Sequence, residues 1–281
     1  MTGLRALEQV IGITRAFALL AGCAAGALAT GAAGAEATQL VPHRAVYELM
    51  AKPSSGFGRS GALRGLLTYE LMDDCDGWSV NQKAGLDVTP PEGEGHRFEW
   101  SQATWEAKDG SSYRYFIKDS QDGSTGNQRR GELRFAKPGA EGKLTTELPA
   151  RGETDIPWVL LPVQHTLALI DRASAGDVVF LAKIFDATVD EKPVEISAGF
   201  GPAVSTGPSK AEDFAPLKNV PSRHVDFAFF VQNLPDGTPD FEQSVQLFDN
   251  GVVSQVNFEF GGLPVLGTLR KLEVLEPQTC D

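Results

Sequence analysis

Hydrophobic and polar residues alternate along most of the chain, from HRAVYELM (43–50) to LGTLRKLEVLE (266–276). A period of two marks strands that bury one face. In VVSQVNFEF (252–260), Val256, Phe258 and Phe260 share one face, while Gln255, Asn257 and Glu259 share the other. One face is therefore expected to be dry and the other wet or lining a polar interior. Similar segments at 62–72, 77–88, 96–107, 111–119, 131–136, 143–148, 177–187, 222–232 and 240–249 predict further strands. DDCDG, Lys108-Asp109-Gly110 and Asn250-Gly251 are the turns between neighbouring strands, the last being the strongest hairpin signal.

One segment follows another period. LPVQHTLALIDRAS (161–174) places Val163, Leu167 and Ile170 at i, i+4 and i+7, with Pro162 in the first turn and Gly176 past the end. This spacing predicts one principal helix near 162–173. GPAVSTGPSKAEDFAP (201–216) reads as a polar loop. The whole pattern predicts an all-β fold of about 12–14 strands, a long antiparallel sheet coiled into a β-spiral or open barrel. Residues 36–281 form a single domain on this reading.

Composition narrows the function. The chain has 281 residues, 42% of them hydrophobic, which is enough for one large β core. Its net charge of −12 and the lack of any basic run argue against nucleic-acid or anionic-membrane binding. Residues 1–35 read as a signal peptide: Arg5 and Arg15, then apolar AFALLAGCAAGALA (16–29), then Ala33-Gly34-Ala35 with cleavage after Ala35. The apolar stretch is short for a membrane-spanning helix. Leu20-Ala21-Gly22-Cys23 also fits a lipobox. Export to the periplasm is expected, with lipid anchoring through Cys23 as the alternative.

Either route takes Cys23 out of the thiol count and leaves Cys75 and Cys280. In an oxidising compartment the two are expected to form a disulfide. Closing so long a loop is worth at most about 5 kcal/mol by chain entropy. No CxxC motif and no sequence-adjacent histidine suggests a reactive thiolate instead.

Catalytic motifs are absent: no GxSxG, SxxK, HExxH, P-loop or helix-opening GxGxxG occurs. His43, His96, His165 and His224 are widely spaced and lack ligand spacing, so no metal or other cofactor is expected. Trp158 and His165 flank the start of the helix and are candidates for the mouth of a cavity. The plainer reading of His165 is a packing or capping residue bonded to a strand end. Trp100, Trp105, Tyr113, Tyr115 and Phe116 span one hairpin. They could form a ligand-stacking wall or ordinary cross-strand packing. Asp73 and Asp74 read as a solvated turn.

Four elements taken in order carry a resemblance: PHRAVYEL (42–49), a strand pair around Cys75-x-Gly77-Trp78, LPVQHT (161–166) opening the helix, and a terminal Pro277-x-x-Cys280. Together they resemble the cell-envelope integrity EipB family of alphaproteobacteria, over nearly the whole chain after the signal peptide. The resemblance implies a periplasmic β-spiral, a Cys75–Cys280 disulfide and no enzyme activity. It also implies a role in maintaining the envelope and a functional link to a periplasmic tetratricopeptide-repeat protein. The apolar PWVLLP lead-in to the helix and the LAGC sequence stand apart from the family pattern.

The expected function is that of a non-catalytic periplasmic envelope factor binding a protein partner or an apolar ligand, such as a lipid or hydrophobic peptide. A lipid or lipoprotein carrier is the nearest alternative; a peptidoglycan-modifying hydrolase is the alternative of a different class. The helix reads equally as a fixed plug or a movable lid.

Overall fold

A computed structural model describes residues 39–52, 62–90, 92–204, 214–232, 234, 236–276 and 278–280. The signal segment with Cys23 and Ala35, and the middle of the 201–216 loop, lie outside the described residues.

Where apolar and polar residues alternate, the chain forms strands. The first half gives β1 (His43–Ala51), β2 (Ala62–Asp73), β3 (Gly77–Thr89), β4 (His96–Ala107), β5 (Ser112–Gln121), β6 (Ser124–Phe135), β7 (Gly142–Leu148) and β8 (Gly152–Ile156). Helix α1 (Pro162–Ser174) follows. The second half gives β9 (Val179–Ile184), β10 (Val194–Phe200), β11 (Ser222–Phe230), β12 (Phe241–Phe248), β13 (Val253–Phe260) and β14 (Leu263–Val274). All fourteen belong to one sheet in the order β8-β7-β6-β5-β4-β3-β2-β1-β14-β13-β12-β11-β10-β9. Every strand pairing is antiparallel.

The sheet is therefore a continuous meander with its midpoint at the two chain ends, where β1 pairs with β14. It does not close: β8 is one edge and β9 the other. The chain leaving β8 reaches across, and Leu160 makes a parallel bridge to Ile184 of β9. Register shifts at Val46/Tyr47, Lys118/Ser120, Arg130/Gly131 and Gln246/Leu247 are irregularities of the kind that bend strands in a coiled sheet. Positive-φ glycines make the tight turns, Gly110 after β4 and Gly251 after β12.

Inward-facing side chains build two cores. The larger is apolar and draws on β1–β4, β9–β14 and α1, with Leu49, Leu86, Phe229 and Phe248 fully enclosed. Val256, Phe258 and Phe260 point into it. The smaller lies under β5–β8 and contains Tyr113, Tyr115, Leu133, Leu144 and Phe185. Among the described residues no further sheet covers it; the cover is the 156–161 linker and the chain that turns in after β9.

Four details differ from the sequence pattern. β8 and β10 emerge as strands that the alternation did not single out, and β6 begins at Ser124 rather than near residue 131. GETDI of β8 is short and charged with its first four residues exposed, so no apolar face announces it. The helix buries Val163, His165, Thr166, Leu169 and Ile170, whereas Leu167 is only half-buried. The 177–187 strand stops at Ile184, because Phe185 and Ala187 turn into the smaller core.

Candidate functional site

Three places bring chemically distinctive groups together: the disulfide turn, the tether of α1, and the open β9 edge.

At the first, Cys75 and Cys280 are joined, with Cα atoms 5.8 Å apart. The bond ties the tail after β14 to the β2–β3 turn. Asp73 and Asp74 organise this turn, which corrects their reading as simply solvated. Asp73 Oδ1 accepts the Cys75 N–H at 3.0 Å and the Lys108 ammonium at 2.6 Å. Asp74 accepts from the Ser79 hydroxyl and, at 3.2 Å, from the Gln278 amide of the tail. Cys75 sits in the left-handed region at φ 68°, a conformation that local side-chain hydrogen bonds help to hold.

The second place is the start of α1. The first N–H groups of any helix lack intrahelical partners. Here Glu106, at the end of β4, reaches across and accepts from the Val163 N–H and, at 2.9 Å, from Gln164 N–H. The carboxyl is buried. Burial pushes its pKa up to about 8, and the two helix N–H groups pull the other way. Nearby Asp186 is also buried; its Oδ1 accepts the Thr188 N–H at 2.8 Å and the Thr188 hydroxyl at 2.7 Å. Burial raises the Asp186 pKa, opposed by those two bonds. Gly110 lies against the same helix end, where a Cβ would collide with the Gln164 amide. The helix is thus fastened at its start by a buried carboxyl group, which favours a plug over a lid.

His165, one turn into α1, is wholly buried, and both ring nitrogens lack hydrogen-bond partners among the described residues. It packs between Phe180 of β9 and Phe227 of β11, with ring centroids 6.0 and 6.3 Å away. Desolvation lowers its pKa to about 3, so it is neutral at physiological pH. It packs, but bonds no strand end. Trp158 lies elsewhere, against Phe135 at the margin of the smaller core, with centroids 4.6 Å apart. The fold therefore places His165 and Trp158 in different cores.

The hairpin aromatics also separate. Trp100, Tyr113 and Tyr115 are buried inside, whereas Trp105 and Phe116 lie on the outer face under Arg114 and Arg130. No single wall contains all five.

The third place escaped sequence reasoning. On β9, Val178 just before the strand is 73% exposed, Val179 53% and Leu181 72%. Lys183 O and Phe185 N, farther along, bond to Leu160. By the alternation of the ladder, the edge-facing groups of Val179 and Leu181 lie upstream of that suture. A strand edge of this kind can template pairing with another chain. The opposite edge differs: β8 carries exposed Glu153 and Asp155, which pair with Lys143. Glu106 could have been found in the sequence. It continues the inward phase of Phe98, Trp100, Gln102 and Thr104, where a carboxylate is out of place.

Among the described residues, no helix is long and apolar enough to cross a membrane. The chain is similar to a curated "Cell envelope integrity protein EipB" of Brucella abortus, 25% identical over 88% of this chain and 89% of that one. Its fold matches the crystal structure of a β-barrel-like protein, of a domain of unknown function, from Brucella abortus. That match has a TM-score of 0.76 at 23% identity and covers 85% of this chain and 99% of the other. The EipB-like family model spans residues 34–276. With the open fourteen-stranded sheet, the inserted helix and the fold match in agreement, the chain belongs to the EipB-like family.

Proposed function

We propose that this protein is a non-catalytic periplasmic factor that maintains cell-envelope integrity by binding a protein partner along its β9 edge. The role in the envelope follows the Brucella relative, whose name is that of an integrity protein. The observation that carries binding is the exposed Val178, Val179 and Leu181 at an unsutured edge. Strand addition would satisfy the edge groups and cover the apolar side chains at once. The buried titratable groups serve structure: Glu106 caps α1 and Asp186 caps the turn at Thr188. The partner suggested by the family resemblance is a periplasmic tetratricopeptide-repeat protein.

The test is a photo-crosslinker placed at Leu181 in cells, with Leu181→Asp as the companion variant. Capture of such a protein, with envelope sensitivity to detergent in Leu181→Asp, supports the reading. No captured protein, or a Leu181→Asp strain with normal tolerance, overturns it.

A second reading has its own observation. His165, Thr166 Oγ1 and Gln243 Oε1 are buried without hydrogen-bond partners among the described residues, beside an otherwise apolar core. Gln243 pairs across from Phe227, which His165 also touches. Orphaned polar groups of this kind suit water or the polar part of an apolar ligand. A lipid that co-purifies in native mass spectrometry and is lost in Gln243→Leu would favour the carrier; a ligand-free mass would count against it.

A further inference from the structure

The outer face of β3–β6 holds an unusual set of cations for so acidic a protein. Trp105 of β4 lies flat over Gly77, where a Cβ would fall inside the indole. The Arg114 guanidinium stacks on the exposed side of that indole, 4.2 Å from its centroid. One row along, Arg130 of β6 stacks on Phe116 of β5 at 4.5 Å. The aromatic rings therefore act as pedestals that hold two guanidinium planes in fixed orientation. Both overhang an open groove of about 430 Å³, whose lining also includes Asn81, Ala103 and Glu147. A neighbouring groove of about the same volume continues between Lys83 and Lys118.

The charges here are underused. Arg114, Lys83 and Lys118 have no ion-pair partner among the described residues, and the Asn81 side-chain amide makes no hydrogen bond there. Arg130 meets Glu147 only at 3.9 Å. The carboxylates nearby are engaged: Glu132 with Arg134, Glu99 with Arg97, and Asp119 with the Asn127 N–H. Several exposed cations elsewhere on the sheet are matched, as Arg44 is by Glu70 and Glu273, and Arg270 by Glu48, whereas Arg64 and Lys271 stand singly among the described residues, without such a cluster.

The register gives the set a spacing. Trp105 pairs with Arg114, Ala103 with Phe116 and Ser101 with Lys118. Phe116 pairs in turn with Arg130. Cations thus occur in three successive rows along β5: Arg114, then Arg130 beside Phe116, then Lys118. Rows two residues apart repeat at about 6.8 Å, and so do same-face side chains of any extended peptide. A lipid surface fits poorly, because the rings lie beneath guanidiniums instead of projecting outward.

We propose that this face binds an extended acidic peptide segment, from another protein, that carries Asp or Glu at alternate positions. Its carboxylates would meet Arg114, Arg130 and Lys118 in turn, replacing the loose Glu147 contact, with Asn81 free to bond the peptide backbone. This surface is separate from the β9 edge and stands whether or not that edge binds a partner.

The test is binding of a fluorescent peptide of alternating Glu and Thr to the full protein recovered from cells. Comparison peptides carry the same residues with all Glu in one block. Expected are binding that weakens with salt, a preference for the alternating peptide, and a loss of about tenfold or more in Arg114→Glu. The double variant Arg114→Glu/Arg130→Glu should lose binding, while Lys271→Glu, the same charge change as Arg114→Glu alone but at an exposed site on β14, should not. All variants should keep the wild-type melting temperature. Equal binding by the block peptide, no binding by wild type, or equal loss in Lys271→Glu overturns the proposal. So does tighter binding of a uronic-acid oligosaccharide or of phosphatidylglycerol vesicles through the same arginines.

Discussion

The two cores of this sheet obey different rules. The larger is a coil of apolar strands around one helix face, where Phe227 and Phe229 of β11 and Phe258 and Phe260 of β13 come from either side of β12. The smaller, under β5–β8, is roofed by linker chain and a single inserted ring, Phe185, which meets Tyr113 at 6.0 Å and Tyr115 at 6.4 Å. Buried carboxyl groups flank it, Glu106 and Asp186, and Tyr115 donates to Glu191 at 2.5 Å. Continuous area supports the first region. Specific bonds between distant segments support the second. The β5–β8 region should therefore be the part of the molecule that opens first.

Phenylalanine truncation gives the largest contrast. Phe229→Ala and Phe185→Ala each remove a fully buried ring, worth about 3–5 kcal/mol. Hydrogen exchange should show Phe185→Ala deprotecting β5–β8 alone, and Phe229→Ala lowering protection across the barrel. Uniform loss in both variants would mean that the two cores are one cooperative unit.

Reducing the disulfide comes next. Cys280→Ser, or reductant added to wild type, should cost about 2–4 kcal/mol. It should release the tail after β14 to proteases while β5–β8 stay protected. Unchanged melting in both treatments would remove the clasp from the account.

Glu106 joins the two regions, and its effect depends on pH. Glu106→Ala leaves the Val163 and Gln164 N–H groups without their carboxyl acceptor, a cost of about 1–3 kcal/mol. Its folded pKa, about 8, stands above the ordinary 4.5. Between those values the folded chain holds a proton that the unfolded chain has lost. Its contribution is therefore fully present below the ordinary value and is lost as pH rises toward about 8. Melting temperature of wild type should fall from about pH 5 to about pH 9 relative to Glu106→Gln. Parallel curves would show that Glu106 does not titrate in this way.

The smallest stability effect is expected at the open edge. Leu181→Asp changes an exposed side chain, so folding should shift by no more than about 0.5 kcal/mol. Its consequence should appear in partner capture. A large loss of stability would show instead that Leu181 is packed.

Much of this was legible from local pattern. Alternation in 252–260 and the Asn250-Gly251 turn lead directly to β12, β13 and the hairpin between them. The i, i+4, i+7 spacing located α1, but not its deepest face. Thr166 and Leu169 are buried more fully than Leu167, because the helix lies against β9 and β11 at an angle that its own period does not encode. β8 was hidden by its charged, edge-type composition. The β9 run is apolar in both phases, which reads as a strand covered on both faces. Only the ends of the sheet reveal that one face stays open.

Residue order alone determined the all-β class, the single principal helix, the lack of local catalytic motifs and the cysteines available for a disulfide. Each follows from periodicity, short-range turn chemistry or a count. Tertiary structure decided what depends on distant segments meeting. It chose which strands became edges, set Glu106 beneath the start of α1, parted Trp158 from His165, and divided the hairpin aromatics between core and surface. A period of two says that a strand has two faces. Only the coil of the sheet says what each face meets.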